Sequence, residues 1–286
     1  MTHRLMAVHA HPDDESSKGA ATYAHYAAQG DEVMVVTCTG GERGDILNEN
    51  LSQLALARRD LPGLRRSEMA AAQAVMGVQH RWLGYVDSGM AREDGTVPTG
   101  SFADIPVEIE AEPLVRLIRS FQPQVLITYD ENGGYAHPDH IRSHVVAMEA
   151  YRAAADPARY PSAGEPWQIA KLYYERILNA PRIRKVYELL KRRQPDSPLI
   201  AKFETMRSWL DERPLQATTQ VAVGDELDVR DAALRAHASQ VAPDSPFFFW
   251  PNDVVREAWP FEDYQLVESQ TSTPLPETDL FAGVEA

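Results

Sequence analysis

The chain has 286 residues, 44% hydrophobic and 24% charged, so it can close a large core without disulfides or structural metals and is not a disordered segment. Its 42 acidic and 28 basic side chains leave a net charge of −14, which opposes non-specific binding to nucleic acid or to an anionic membrane. A single cysteine, Cys38, excludes an intrachain disulfide framework, and no window approaches 18 uninterrupted apolar residues, so no membrane span is expected.

The apolar run near the N-terminus is too short and too broken for a signal peptide, and a reducing, cytoplasmic setting is the expectation. Residues 5–10 read as a strand, and 16–29 as a helix stopped by Gly30. Residues 32–39 form a nearly continuous β-branched run, which suits a central strand covered on both faces. A glycine-rich loop follows at 40–45. A helical region at 52–76 is interrupted near Pro62-Gly63 and stopped by Gly77. A short strand at 81–84 leads into a polar loop that runs to Gly100. Helix 109–121, strand 124–129, loop 130–134 and helix 138–155 follow. Strands are then expected at 171–178 and 218–223, with helices at 182–193, 199–210 and 227–240. From about residue 270 the chain is rich in Thr, Pro and Glu and reads as a loose tail. Strands alternating with helices predict an α/β fold: a mainly parallel sheet with helices on both faces. The expected organisation is one α/β domain over 1–270, its 156–270 part a C-terminal, substrate-shaping elaboration, with a tail at 271–286.

Two segments carry chemistry. His11-Pro12-Asp13-Asp14-Glu15 follows the first strand, and His137-Pro138-Asp139-His140 follows the strand at 124–129. Either segment alone reads as a helix start, with Pro and acids in the first turn. Two of them at the carboxyl edge of one parallel sheet, where ligands bind, point instead to a metal site. His11 and Asp14 lie three apart, and His140 supplies a third ligand. Two imidazoles, a carboxylate and an open fourth position are the pattern of catalytic zinc, and Fe(II) accepts the same set. Asp13, between the ligands, is the candidate general base. A protonated His137 would stabilise an oxyanion or protonate a leaving amine, and Tyr135 could reach the same oxyanion. Asp139 is placed to orient a neighbouring histidine.

The remaining candidates are weaker. Cys38 reads as a buried structural thiol and His9 as buried in its strand. His3, His25 and His80 read as surface residues, and His144 as a packing residue or one that supports a ligand from behind. His237 fits either a structural or a site-facing place. Phe247-Phe248-Phe249-Trp250 suits core or lid packing, or the wall of a pocket. No Gly-x-Ser-x-Gly elbow, P-loop, dinucleotide fingerprint or His-Glu-x-x-His motif is present. An iron(II) oxygenase and a non-catalytic, metal-containing sugar-binding protein are the alternatives from other classes.

Ala10-His11-Pro12-Asp13-Asp14-Glu15, paired with Asn132-Gly133-Gly134-Tyr135-Ala136-His137-Pro138-Asp139-His140, resembles the LmbE/PIG-L family of zinc-dependent N-deacetylases. The resemblance implies a Rossmann-like fold and amide hydrolysis on a glucosamine nitrogen. It implies His11, Asp14 and His140 as zinc ligands and Asp13 as general base. It also implies a positively charged His137, Asp139 as its orienting partner and Tyr135 as a polarising hydroxyl. Arg65 and Asp87 match positions that hold inositol hydroxyls. Ser16-Ser17-Lys18-Gly19-Ala20 and the stretch 39–47 resemble the branch that cleaves mycothiol S-conjugates, a thiol-detoxification reaction. The alternative branch deacetylates N-acetylglucosaminyl-inositol. Lys18 is expected to contact the substrate and help set the choice between them. The implied partner is a small molecule, and the resemblance leaves the oligomeric state open.

Overall fold

The computed structural model describes residues 2–211 and 214–285. Strands β1 (Arg4–His9), β2 (Glu32–Thr39), β3 (Gln79–Tyr85), β4 (Val125–Thr128) and β5 (Lys171–Glu175) run parallel. Strand β7 (Phe261–Ser269) lies antiparallel between β5 and β6 (Thr219–Ala222), giving the order β3-β2-β1-β4-β5-β7-β6. The helices are α1 (Asp14–Ser17), α2 (Ala20–Ala28), α3 (Leu54–Arg59), α4 (Leu61–Met76), α5 (Val107–Phe121) and α6 (Pro138–Ala154). After β5 come α7 (Ala180–Arg193), α8 (Pro198–Asp211), α9 (Leu227–Ala236) and α10 (Asn252–Ala258).

Successive strand residues point to opposite faces, and here both faces are buried. Leu5, Ala7, Val33, Val35 and Ile127 pack under α2, α4 and α9 through Tyr23, Met69 and Ala233. Met6, Val8, Met34, Val36 and Leu126 pack under α5 and α6 through Leu114, Ile118 and Val146. This is the predicted Rossmann-like architecture. The order turns in opposite directions on either side of β1 and β4, and that switch point opens a crevice beyond their carboxyl ends.

Three local features depart from expectation. The break in the region 52–76 falls at Asp60, whose carboxylate accepts the Gly63 N–H at 2.9 Å, so Pro62 and Gly63 sit inside the first turn of α4. Strand β7 and helix α10 were not anticipated. Glu262 and Asp263 break the apolar pattern of β7, yet both are buried and bonded, to the Thr22 N–H and to Asn179, Gln220 and Trp259. The third departure is the expected loose tail, which docks instead. Leu280 and Phe281 are buried, and Glu277 meets the buried Lys171 ammonium at 2.6 Å and the Tyr173 hydroxyl at 2.7 Å.

That docking has an expected cost of removal. Glu277→Ala would strand a buried ammonium, and a loss of about 3–5 kcal/mol is expected in urea unfolding, with early proteolysis after residue 270. Burial would raise the Glu277 carboxyl, but bonds from Lys171, Thr273 and Tyr173 hold it below its ordinary value of 4.5. A depressed folded value stabilises fully above the ordinary value and less as pH falls below it. The wild-type tail is therefore expected to loosen on acidification from pH 4.5 downward, and the Glu277→Ala chain to lack that component.

Candidate metal centre and its cleft

Strand β1 ends at His9, and the next residues turn His11 and Asp14 over the crevice. Strand β4, its neighbour, delivers the loop from which α6 starts, with His137 as the N-cap residue and His140 in the first turn. The register of two strands thus brings together ligands that lie far apart in the chain. Asp14 Oδ2 lies 3.4 Å from His11 Nδ1 and 3.3 Å from His140 Nε2.

The donor set fits a tetrahedral cation. Two ligands about 2.0–2.2 Å from a tetrahedral zinc lie roughly 3.3 Å apart, which matches both separations. His140 Nε2 is fully buried and has no hydrogen-bond partner, a costly state that a bound cation would relieve. Each imidazole is also held by its other nitrogen. His11 Nε2 faces Asp139 Oδ2 at 3.2 Å, and His140 Nδ1 faces the Gly133 carbonyl at 3.0 Å. These acceptors place the ring protons away from the centre and leave a lone pair aimed at it. Gly133 has φ +68°, and a Cβ there would lie 2.5 Å from that of His140. A second trio, His11, His137 and Asp139, is also close enough to chelate, but Asp139 Oδ2 already accepts from His11 and from the Ser88 N–H at 2.9 Å.

Asp139 therefore bonds His11, not His137 as the resemblance implied. Lys18 also departs from expectation. It is buried, it lines the cleft, and its ammonium bonds Asp14 Oδ1 at 2.5 Å. Burial works against its charge, but Asp14 and then Glu175 hold its pKa above the ordinary value. Its first contact is a ligand carboxylate, so any effect on the substrate acts beside that pairing.

Asp13 lines the cleft with 26% of its side chain exposed, against 6% for Asp14 and none for Glu15. Burial raises its carboxyl above the ordinary value, and Arg65, 3.5 Å away, pulls it back. Arg65 is buried, whereas Arg66 is exposed, so the site-facing arginine is Arg65. Its guanidinium donates to the carbonyls of Gly41 and Pro12 at 3.1 and 2.5 Å. Gly41 has φ +67°, and a side chain there would collide with that guanidinium. Asp87 accepts N–H bonds from Gly89 at 2.7 Å and Arg43 at 3.1 Å, and lies 3.7 Å from His11 Nε2. Arg65 and Asp87 both line the cleft, and both also brace the loops around it.

His137 is not set up as an imidazolium. Its Nδ1 accepts the Asp139 N–H at 3.2 Å as a helix cap, which places the ring proton on Nε2. Burial pushes its pKa below the ordinary value. In that tautomer the ring is a donor through Nε2. Tyr135 is 44% exposed on the cleft rim, its ring 4.4 Å from that of His140.

The cleft has a volume of about 850 Å³. Leu178, Phe247 and Phe248, from the C-terminal elaboration, line it, whereas Trp250 turns away into a separate core with Phe203. Two contributors, Glu175 and Glu15, had no role assigned from the sequence. Glu175, at the end of β5, lines the cleft, and burial raises its carboxyl against the pull of Lys18. Glu15 and His237 meet beneath the loop at 2.7 Å. His237 was left open between two roles, and no local signal joins residues 222 apart. His80 is buried against Thr37 at 2.9 Å and is not on the surface as expected, and His3 and His25 are part-buried. Cys38, His9 and His144 take the structural places expected of them.

The chain is 47% identical over 98% of its length to a mycothiol S-conjugate amidase from Streptomyces coelicolor, covering 97% of that protein. It is 41% identical, again over 98%, to a 1D-myo-inositol 2-acetamido-2-deoxy-alpha-D-glucopyranoside deacetylase from Streptomyces avermitilis, covering 97% of it. Among solved structures, an N,N'-diacetylchitobiose deacetylase from Pyrococcus horikoshii superposes with TM-score 0.62 at 18% identity, over 92% of this chain and 83% of that one. The family model described as PIG-L, GlcNAc-PI de-N-acetylase, matches residues 6–151, the span that holds all three candidate metal ligands, and the chain belongs to that family.

Proposed function

We propose that the chain is a metal-dependent amide hydrolase whose substrate is a mycothiol S-conjugate. It cleaves the amide between the N-acetylcysteinyl S-conjugate and glucosaminyl-inositol. The observation that carries the hydrolase reading is the trio His11, Asp14 and His140 beside the cleft-facing Asp13. The choice of substrate rests on 47% identity to the amidase against 41% to the deacetylase. That second figure keeps deacetylation of N-acetylglucosaminyl-inositol as the second reading.

Zinc is the proposed metal: His11, Asp14 and His140 would hold it, and it would supply the Lewis acidity that makes water a nucleophile near neutral pH. Asp13 takes the proton from the attacking water and later passes it to the leaving amine. His137 Nε2–H and the Tyr135 hydroxyl donate to the oxyanion. Lys18 balances the Asp14 carboxylate, and Asp139 holds the His11 ring. The polar side chains at the end of the cleft near Arg65 and Asp87 suit the inositol hydroxyls. Residues 156–270 shape the rest of the cleft. No helix among the described residues is long and apolar enough to cross a membrane, in keeping with a proposed cytoplasmic enzyme acting on a small molecule. Side-by-side kcat/KM on a bimane conjugate of mycothiol and on N-acetylglucosaminyl-inositol tests the reading. The conjugate is expected to be the better substrate, and a preference for the acetylated sugar would replace this proposal with the deacetylase.

A further inference from the structure

The backbone of Asp13 adopts φ 121°, ψ −24°, a region costly for a residue with a side chain. Such a conformation persists only where its surroundings enforce it, and here both ends of one peptide unit are gripped. The Pro12 carbonyl accepts from Arg65 Nη2 at 2.5 Å, and the Asp13 N–H donates to Glu15 Oε2 at 2.9 Å. Glu15 is fully buried, and its other oxygen accepts from His237 Nε2 at 2.7 Å and Ser16 Oγ at 2.5 Å. His237, also fully buried, sits just past the end of α9 in the C-terminal elaboration, and its Nδ1 has no partner. The chain of contacts therefore runs from α9 through Glu15 to the peptide that aims Asp13.

We propose that His237 and Glu15 are positioning residues: with Arg65 they clamp the Pro12–Asp13 peptide and hold the Asp13 carboxylate toward the cleft. The inference rests on the reading of Asp13 as the base. Neither residue lines the cleft, so neither binds substrate. Their removal frees the peptide to relax to an ordinary φ, swinging the carboxylate off its line while the metal ligands stay in place.

The experiment compares His237→Phe, which fills the same space without a donor, with His237→Gln, which keeps one. The Phe variant is expected to lose about 10–100-fold in kcat with KM within about twofold and full metal content, as outer partners of catalytic groups typically do. The Gln variant is expected to recover most of that loss, a rescue that mere filling of space would not give. Glu15→Leu is the second variant, should the Phe substitution not fold, and the same kcat loss is expected from it. Combined, the two substitutions are expected to cost no more than the worse single one, since they act through one contact. Wild-type kcat in either folded variant, a loss confined to KM, or no difference between Phe and Gln overturns the clamp. Asp13→Asn, run alongside, separates the two readings: turnover in that variant would overturn the base assignment itself.

Discussion

Asp13→Ala is expected to cut kcat by about 10²–10⁴-fold while the protein keeps its metal, the range that a positioned proton acceptor supplies. Asp14, Asp139 and Glu15 are all buried and engaged with protein partners, whereas Asp13 keeps a quarter of its side chain open to the cleft. No neighbour stands ready to replace it. Asp87 is committed to two backbone N–H groups. Glu175 reaches the cleft from the end of β5, away from the Arg65 guanidinium that opposes the effect of burial on Asp13. Alanine at φ 121° is strained as the native aspartate is, so stability must be measured with activity. Asn tolerates positive φ better and separates the two effects. The test is kcat, metal content and thermal midpoint on the purified Ala and Asn variants. Turnover near wild type in either would remove Asp13 from the chemistry.

The meeting of the candidate ligands was legible because its signals are local. Each His-Pro-Asp segment carries its own helix start, and the strands before them are continuous apolar runs, so their meeting at one sheet edge follows from parallel topology. The orienting contacts were not legible in the same way. Asp139 adjoins His140 in the chain but bonds His11, because the first turn of α6 points its carboxylate back across the crevice toward β1. Lys18 looks like a free helix-start lysine, but the single turn of α1 brings it, four residues on, back onto Asp14. His237 and Glu15 meet through the docking of α9, which no spacing rule predicts. Strand β7 and the docked tail failed for one shared reason. Both bury acids, and Glu262, Asp263 and Glu277 read as surface until their partners are known. Sequence patterns find apolar burial by its period, but buried charge becomes visible only once the partner is placed.

His140→Ala is expected to abolish metal binding at the concentrations that saturate the wild type, and activity with it. Altering a partner behind a ligand already costs about 10–100-fold in affinity, and losing one of three protein ligands should cost more. The variant is expected to fold. His140 packs between the rings of Tyr129 and Tyr135, 4.6 and 4.4 Å away, but the chain around it is held elsewhere. Helix α6 keeps its His137 cap, and the Tyr129 hydroxyl keeps its bond to the Ala10 N–H. The diagnostic is therefore a difference of differences. Metal that binds only the folded state stabilises by RT ln(1 + [L]/Kd), about 2.7 kcal/mol at a hundredfold excess over Kd. Added zinc should raise the melting midpoint of metal-stripped wild type by several degrees and leave His140→Ala unmoved. Asp139→Asn should fall between them, keeping the three ligands but loosening the grip on the His11 ring. A zinc-induced shift in His140→Ala equal to the wild type's would place the metal elsewhere, and the trio sharing His11 with His137 and Asp139 would then be the site to test.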